Sequence, residues 1–175
     1  MGVDAHRQGA PPRITAYVVT LSDSRRPEND TTGALIRESL QAAGHAVMGW
    51  CILREEPEVL RRGLEQLLDR GDLDVLVLSG GTGIAPRDHT YDVLTTLYEQ
   101  EIPGFGELFR ALSYAEIGSA AMLSRASAGV SRRKLLFSLP GSTAAARLAL
   151  EKLILPELGH LVGELRRPSQ QERPS

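Results

Sequence analysis

Cysteine is nearly absent from this sequence. Cys51 is the one cysteine among 175 residues, which excludes an intramolecular disulfide and a metal cluster held by several thiolates. Structural disulfides are common in secreted proteins, whereas cytosolic proteins keep their thiols reduced. The cysteine content is therefore typical of a cytosolic protein that is stabilised by its core alone.

Long apolar runs are missing too. No stretch approaches the roughly 18 consecutive apolar residues that a membrane-spanning helix needs. The first 13 residues contain no apolar segment of the kind found in secretory signal peptides. We therefore expect a cytoplasmic protein without a membrane partner.

The sequence also lacks a strong charge of either sign. Its formal net charge is -2 at pH 7, so no overall basic field favours nucleic acid as a partner. We expect small-molecule ligands, and local donors and cations must hold any of them that is a polyanion.

What the sequence does contain is the composition of one folded domain. Hydrophobic residues make up 42% and charged residues 24% of the chain, as in an average globular protein. Both ends are polar and contain proline, so residues 1–13 and 164–175 are predicted to be disordered tails. Residues 14–163 form a single predicted domain, large enough to bury its own core.

The order of predicted elements indicates an α/β fold. Apolar runs predict strands at 14–21, 45–53, 75–78 and 134–139, and the segments between the first three carry apolar residues at helical spacing. Strands that are apolar throughout and alternate with helices are typical of a mostly parallel sheet. The sequence thus predicts a single three-layer α/β/α domain with a mostly parallel, mixed central sheet.

Several helix boundaries follow from capping and proline signals. Asp30 or Thr31 is predicted to cap the first helix, and Pro57 suits the first turn of the second. Thr90 is predicted to cap a third helix through Tyr98, and more helix is expected up to position 123. Residues 143–163 are predicted to form a helix pair, or one helix interrupted at Pro156.

A glycine-rich loop follows the third predicted strand directly, at Ser79-Gly80-Gly81-Thr82-Gly83. Ligands of open α/β sheets bind outside the carboxyl ends of the strands, where glycines let main-chain N–H groups approach an anion. No Gly-Lys-Ser/Thr follows, and Pro86 stands where a dinucleotide-binding loop has its third glycine. We predict a phosphate-binding loop, with a plain glycine turn as the alternative.

Charged and hydroxyl side chains come just after the glycines. Arginine pairs with phosphate oxygens, as Arg87 would, and aspartate supplies the hard oxygen ligand that Mg²⁺ prefers, as Asp88 would. Together with Thr90 this mixture suits a phosphate with magnesium. The alternative is that Asp88 or Thr90 only caps the following helix.

Three more polar segments are predicted near the same edge of the sheet. Ser124 and Arg125 begin one, and Pro140-Gly141-Ser142 follows the last strand, where a tight turn at a helix start favours an anion. Glu55 and Glu56 follow the second strand. The alternatives are an ordinary turn at Pro140 and ordinary first-turn helix charges at Glu55 and Glu56.

Taken in order, these motifs resemble the molybdenum-cofactor-biosynthesis MoaB/Mog family. They are Ser-Gly-Gly-Thr-Gly at 79–83, Arg-Asp-x-Thr at 87–90, Ile-Pro-Gly-Phe-Gly-Glu at 102–107, Ser-Arg-x-x-Ala-Gly at 124–129 and Leu-Pro-Gly at 139–141. The similarity extends from about Ile14 to Leu161. The Phe-Gly-Glu and Pro-Gly-Ser forms are similar to the MoaB branch.

The resemblance implies a molybdopterin adenylyltransferase, in which a molybdopterin phosphate attacks the α-phosphate of ATP and releases pyrophosphate, with Mg²⁺ as the metal. It implies that Asp88 places the metal and is catalytic together with Glu55 or Glu56. The implied nucleotide- and phosphate-binding residues are Ser79, Gly80, Gly81, Thr82, Gly83, Arg87 and Thr90, and the implied pterin-binding residues are Ser124, Arg125, Pro140, Gly141 and Ser142.

Two departures from the family pattern accompany the resemblance. Tyr91 stands where proline is common, and Ser142 stands where Mog-type proteins carry asparagine. The MoaB branch includes members thought to lack adenylylation, so a non-catalytic molybdopterin- or nucleotide-binding protein is the alternative, and a scaffold with a vestigial pocket is a third. The resemblance also implies a homotrimer or homohexamer.

Overall fold

The structure is a computed structural model that describes residues 11–167. Most of both predicted tails, at 1–10 and 168–175, lies outside the described residues. Between them a six-stranded sheet has the order β2-β1-β3-β6-β5-β4. The strands are β1 Thr15–Leu21, β2 Ala46–Leu53, β3 Val75–Ser79, β4 Gln100–Glu101, β5 Ser127–Ser131 and β6 Lys134–Leu139.

Three of the five strand pairings are parallel and two are antiparallel. Strand β1 pairs in parallel with β2 and β3, and β3 with β6. Strand β5 is antiparallel to β6, and β4 to β5. The predicted mixed, mostly parallel sheet is confirmed, and the carboxyl ends of its four parallel strands share one edge.

Helices cover both faces of the sheet. Residues of β3 point alternately to the two sides: Val75 and Val77 belong to one buried cluster, and Leu76 and Leu78 to the other. This is the predicted three-layer arrangement. The α-helices are α1 Thr31–Ala42, α2 Pro57–Leu68, α3 Thr90–Leu97, α4 Pro103–Ile117, α5 Thr143–Ala149 and α6 Leu155–Arg166.

Asp30 fixes the start of α1 to the end of β1. It is the N-cap, and its carboxylate accepts a hydrogen bond from the Gly33 N–H at 3.0 Å. The Thr20 hydroxyl donates to the same carboxylate at 2.7 Å. With Asp30 only 3% exposed, this buried cap ties the helix to the carboxyl edge of the sheet.

The C-terminal helical region is one continuous stretch with a π turn. The π segment Leu150–Ile154 joins α5 to α6 and comes just before Pro156, which lies in the first turn of α6. A π turn is one way for a helical stretch to accommodate a proline that cannot donate to the previous turn. Helix α6 ends at Arg166, three residues into the segment predicted as a tail, and Arg166 donates to Asp74 at 2.7 Å.

The hairpin of β5 and β6 is the main feature that the sequence did not predict. Residues 127–131 form a strand, whereas the prediction placed only a polar binding segment around them, and residues 118–123 form a 3-10 helix. The two hairpin residues Arg132 and Arg133 have φ of 48° and 60°. Such left-handed turns are normally signalled by Asn-Gly or Asp-Gly, so this hairpin carries no sequence signal.

Candidate functional site

The glycine-rich loop lies where the sequence predicted it, at the carboxyl end of β3. The N–H of Gly80 donates to the Leu139 carbonyl at 2.9 Å. A Cβ added to Gly141 would lie 3.6 Å from Cα of Gly80. The turns after β3 and β6 therefore pack directly against each other and form one wall of a crevice.

Two positions in this loop require glycine. Gly80 has φ of +118°, and a Cβ there would overlap the main-chain oxygen of Leu21. Gly81 has φ of +63°, and its Cβ would overlap the hydroxyl of Thr90. L-residues with side chains rarely adopt these conformations, so the loop is incompatible with substitution at either position.

Three adjacent main-chain N–H groups of the loop have no acceptor in the described part of the chain. Within residues 11–167, the N–H groups of Gly81, Thr82 and Gly83 donate no hydrogen bond to the protein. Successive free amides of this kind form a concave site for an anion. Ser79 differs from them, because it is 1% exposed and its hydroxyl has no hydrogen-bond partner among the described residues.

Thr90 supports the loop from below. It is the first residue of α3, 1% exposed, and its hydroxyl donates to the Gly80 carbonyl at 3.1 Å. The N-cap of α3 is His89, without a side-chain hydrogen bond. The predicted cap at Thr90 is therefore wrong by one residue, and its hydroxyl fixes the conformation of Gly80.

Asp88 is held beside the loop and does not cap α3. Its Oδ2 accepts a hydrogen bond from the Ala85 N–H at 2.8 Å. A Cβ added to Gly83 would lie 2.6 Å from the same oxygen, so the absence of a side chain at Gly83 admits the carboxylate. Arg87 is exposed next to it.

Glu55 and Glu56, which the sequence could not separate, occupy different environments. Burial raises the pKa of Glu55, and the negative charges of Asp23 and Asp88 raise it further. Glu56 is exposed and pairs with Arg54 at 3.3 Å. Glu55 is thus the glutamate that lies within electrostatic range of Asp88, and Asp23 is a third carboxylate that no sequence motif indicated.

We expect the negative charge of Asp23 to contribute to the raised pKa of Glu55. The Asp23 carboxylate accepts from the Glu55 N–H at 3.3 Å, so Asp23→Asn removes a nearby negative charge and should lower the pKa of Glu55 towards its ordinary value. Carboxyl ¹³C chemical shifts recorded over a pH titration measure this. An unchanged or higher pKa of Glu55 would contradict the assigned contact, and Asp72→Asn, in the distant loop before β3, is the control.

The raised pKa of Glu55 also makes the stability of the folded protein depend on pH. Because the pKa is raised in the folded state, the native protein binds the Glu55 proton more tightly than the unfolded chain does. Stability is therefore lost as pH rises from the ordinary pKa of glutamate through the raised one. Replacing Glu55 by Gln should remove this loss, as urea unfolding at several pH values would record.

Ser124 and Arg125 lie on the β5 side of the crevice. With Tyr91, Glu107 and Arg110 they line a cavity of about 390 Å³. The guanidinium of Arg110 donates to the Ser124 carbonyl at 3.3 Å. Glu107 ends one of the family motifs and Arg110 belongs to none of them, and the sequence predicted neither as a site residue, since only their helical positions in α4 bring them to this cavity.

Pro140, Gly141 and Ser142 lie apart from that cavity. Ser142 is the N-cap of α5 and accepts from the Ala145 N–H at 3.2 Å. The Gly141 carbonyl accepts from the Thr32 hydroxyl at 2.9 Å and from Arg25 at 3.1 Å. The predicted pterin-binding set is therefore split between two walls, and Arg25 is a cation that only the tertiary structure brings here.

The carboxylates fit a magnesium ion that also has ligands from a substrate. Within residues 11–167 no group of three or more His, Cys, Asp or Glu side chains is close enough to hold a metal alone. Mg²⁺, however, is commonly bound through one or two carboxylates together with phosphate oxygens and water. Asp88 and Glu55 supply hard oxygens of the required kind beside the free loop amides.

Fold and site together define the class of this protein: an open α/β domain whose glycine-rich loop presents free main-chain donors at the carboxyl edge of the sheet. The profile of a family described as "Probable molybdopterin binding domain" matches residues 17–160. The chain belongs to this family, and within it to the MoaB/Mog proteins.

Individual relatives agree with this membership. The chain is 47% identical over 166 residues to Molybdenum cofactor biosynthesis protein B of Halalkalibacterium halodurans, covering 94% of this chain and 98% of that protein. A crystal structure of Molybdenum cofactor biosynthesis protein B superposes with a TM-score of 0.88 at 48% identity, covering 91% and 99% of the two chains.

The crystal structure of the tungsten cofactor synthesizing protein MoaB from Pyrococcus furiosus superposes with a TM-score of 0.81 at 35% identity, covering 90% of this chain and 100% of that one. The predicted family and its MoaB branch are confirmed. No helix within the described part of the chain is both long and apolar enough to cross a membrane.

Proposed function

We propose that this protein acts in molybdenum cofactor biosynthesis as a molybdopterin adenylyltransferase. In this reaction an oxygen of the molybdopterin phosphate attacks the α-phosphorus of ATP, a P–O–P bond forms and pyrophosphate leaves. The observation that carries the proposal is the juxtaposition of three unpaired loop amides with the carboxylates of Asp88 and Glu55. Transfer to a phosphoryl centre needs such positioning and charge neutralisation more than a covalent nucleophile.

Each part of the crevice has a proposed role. The amides of Gly81, Thr82 and Gly83 bind nucleotide phosphate oxygens, and exposed Arg87 adds a positive charge. Asp88 holds Mg²⁺, with Glu55 as the second carboxylate. A bound Mg²⁺ supplies neutralisation of the charge that develops on the phosphate oxygens.

The pterin is assigned to the cavity beside Ser124. Its volume of about 390 Å³ falls in the ordinary range for small-molecule sites. Glu107 and Arg110 add a carboxylate and a guanidinium to its lining, and these groups match the donors and acceptors of a polar heterocycle. Ser142, as a helix cap at the other wall, is assigned to the phosphate side of the substrate.

The proposal is tested by incubating the purified protein with molybdopterin, ATP and Mg²⁺, then analysing the products by mass spectrometry. Adenylylated pterin and pyrophosphate formed over many turnovers establish the activity, and chelation of Mg²⁺ by EDTA should abolish it. Tight pterin binding without product would instead favour the non-catalytic binding protein. Absence of any pterin or nucleotide binding would favour a scaffold.

We also propose that the chain self-associates as a homotrimer or homohexamer. Five large apolar side chains on α4 and the 3-10 helix after it are exposed, and the three most exposed are Tyr114 at 65%, Ile117 at 60% and Met122 at 77%. A cluster of this kind is typical of an interaction surface. Sedimentation should detect the oligomer, and Ile117→Asp with Met122→Asp should convert it to monomer, unlike Val59→Asp on α2. A monomeric wild-type protein would contradict the proposal.

A further inference from the structure

Arg125 makes an unusual number of contacts with the crevice wall. Its main-chain N–H donates to the Thr82 carbonyl at 2.7 Å, and its Nε–H donates to the Gly83 carbonyl at 2.9 Å. One terminal nitrogen of the guanidinium, Nη2, donates to the main-chain carbonyl of Asp88. One residue of the segment before β5 thus binds the loop at both its glycine end and its aspartate end.

Asp92 completes this arrangement. The other terminal nitrogen, Nη1, donates to the two carboxylate oxygens of Asp92 at 2.9 and 3.1 Å. The ring of Tyr91 lies 5.4 Å from the guanidinium carbon, within the range of a cation–π contact. Asp92 is in the first turn of α3, so the Arg125 side chain links this helix to the loop.

The hydrogen-bonding capacity of the Arg125 side chain is therefore almost used up inside the protein. A guanidinium has five N–H donors in a fixed planar fork. Nε, Nη1 and Nη2 each have an acceptor from the protein, although the side chain is 28% exposed. An arginine committed in this way fixes the groups that it contacts and has little capacity left for a phosphate.

We infer that Asp92 and Arg125 form a positioning pair that holds Asp88 and the loop carbonyl of Gly83 in their working arrangement. The pair acts on the reaction through Asp88: Arg125 also lines the cavity assigned to the pterin, but the hydrogen bonds of its side chain are made to the protein. This inference rests on the proposed function, because it explains how the metal-holding aspartate is kept beside the loop amides. It also revises the role that the resemblance implied for Arg125, from pterin ligand to positioning residue.

The test is a double-mutant cycle between Asp92 and Asp88, read as turnover in the adenylylation assay. Asp92→Ala should lower kcat about tenfold, because small displacements of a catalytic group are costly, while KM for ATP changes by less than about twofold. Asp92→Glu should restore part of the loss, since it keeps a carboxylate for Arg125. In an Asp88→Ala background, Asp92→Ala should have no further effect on kcat.

A matched control and a second readout keep the two proposals separable. Asp72→Ala breaks an exposed Asp–Arg pair with Arg70, whose nitrogen is 2.7 Å from Asp72, and should leave kcat unchanged. In the free protein, Asp92→Ala should speed hydrogen exchange in a peptide covering 80–88, whereas Asp72→Ala should not.

Unchanged kcat in Asp92→Ala, or equal losses with and without Asp88, would overturn the positioning pair. If wild-type protein forms no adenylylated pterin, the proposed function fails and the exchange measurement alone decides. Unchanged exchange at 80–88 would then overturn the pair, and faster exchange would support it.

Discussion

Replacing Asp88 by Ala is expected to lower the rate of adenylyl transfer by about 100-fold or more, which is the size of loss seen when a group that stabilises transition-state charge is removed. The carboxylate lies 2.8 Å from the Ala85 N–H and beside Gly83, at the free loop amides. Asp88→Asn keeps an oxygen that can accept the Ala85 hydrogen bond but removes the charge. A similar loss in both variants would indicate that the charge itself is required.

The measurement is a rate at saturating ATP and molybdopterin over a range of Mg²⁺ concentrations. If Asp88 holds the metal, excess Mg²⁺ should recover part of the Asp88→Asn rate. Thermal unfolding of each variant shows whether the fold is intact. A full rate in Asp88→Ala, measured beside an active wild-type protein, would contradict the role proposed for Asp88.

The second large effect is on stability, and it concerns Gly80. In Gly80→Ala the new Cβ overlaps the main-chain oxygen of Leu21, and the backbone must keep φ near +118°. Strain at such a position costs about 1–3 kcal/mol before any overlap is counted. We expect a total loss of about 3 kcal/mol or more, which for a domain of this size lowers Tm by about 10 °C.

Gly44 provides the matched control for this prediction. It has φ of +87°, and a Cβ there would meet nothing within 4 Å. Gly44→Ala therefore carries the strain of a positive φ without the overlap, and the excess loss in Gly80→Ala is expected to come mainly from the overlap with Leu21. Equal losses of Tm would show that the loop moves away from Leu21 at no cost.

The layers of the fold and the position of the loop were predictable from local pattern. Residues 75–78 are apolar throughout and run directly into three glycines among four residues, a pattern that favours a buried parallel strand ending in a ligand-binding turn. Asp30 was one of two predicted caps for α1, and the structure shows it as the N-cap. These features depend on residues that are close together in the sequence, so the local sequence pattern is enough to predict them.

The β5–β6 hairpin could not be predicted in the same way. Arg132 and Arg133 occupy left-handed conformations that glycine or asparagine would normally signal. Arg132 instead contacts Asp69 and Glu99, which are far away in the sequence. Tertiary contacts overrode local preference at this turn, and they made a strand of residues 127–131.

The candidate site likewise combines residues that were predicted from the sequence with residues that only the tertiary structure reveals. The sequence predicted Asp88, Glu55 and Glu56 as site residues but could not separate the two glutamates. Only the folded chain places Glu55 within electrostatic range of Asp88 and pairs Glu56 with Arg54. Asp23 and Asp92 were not predicted as site residues from any motif. Only the structure shows that Asp23 contacts Glu55 and that Asp92 contacts Arg125.

The sequence by itself determined the α/β class, the family and the glycine-rich loop, because each follows from runs of consecutive residues or from motifs in a fixed order. The tertiary structure decided which carboxylates meet, where the two pterin-binding walls separate and what Arg125 contacts. Those contacts join residues up to 116 positions apart, as between Arg25 and Gly141. These long-range contacts depend on side-chain direction and on the pairing of distant strands, and neither can be predicted from the local sequence pattern.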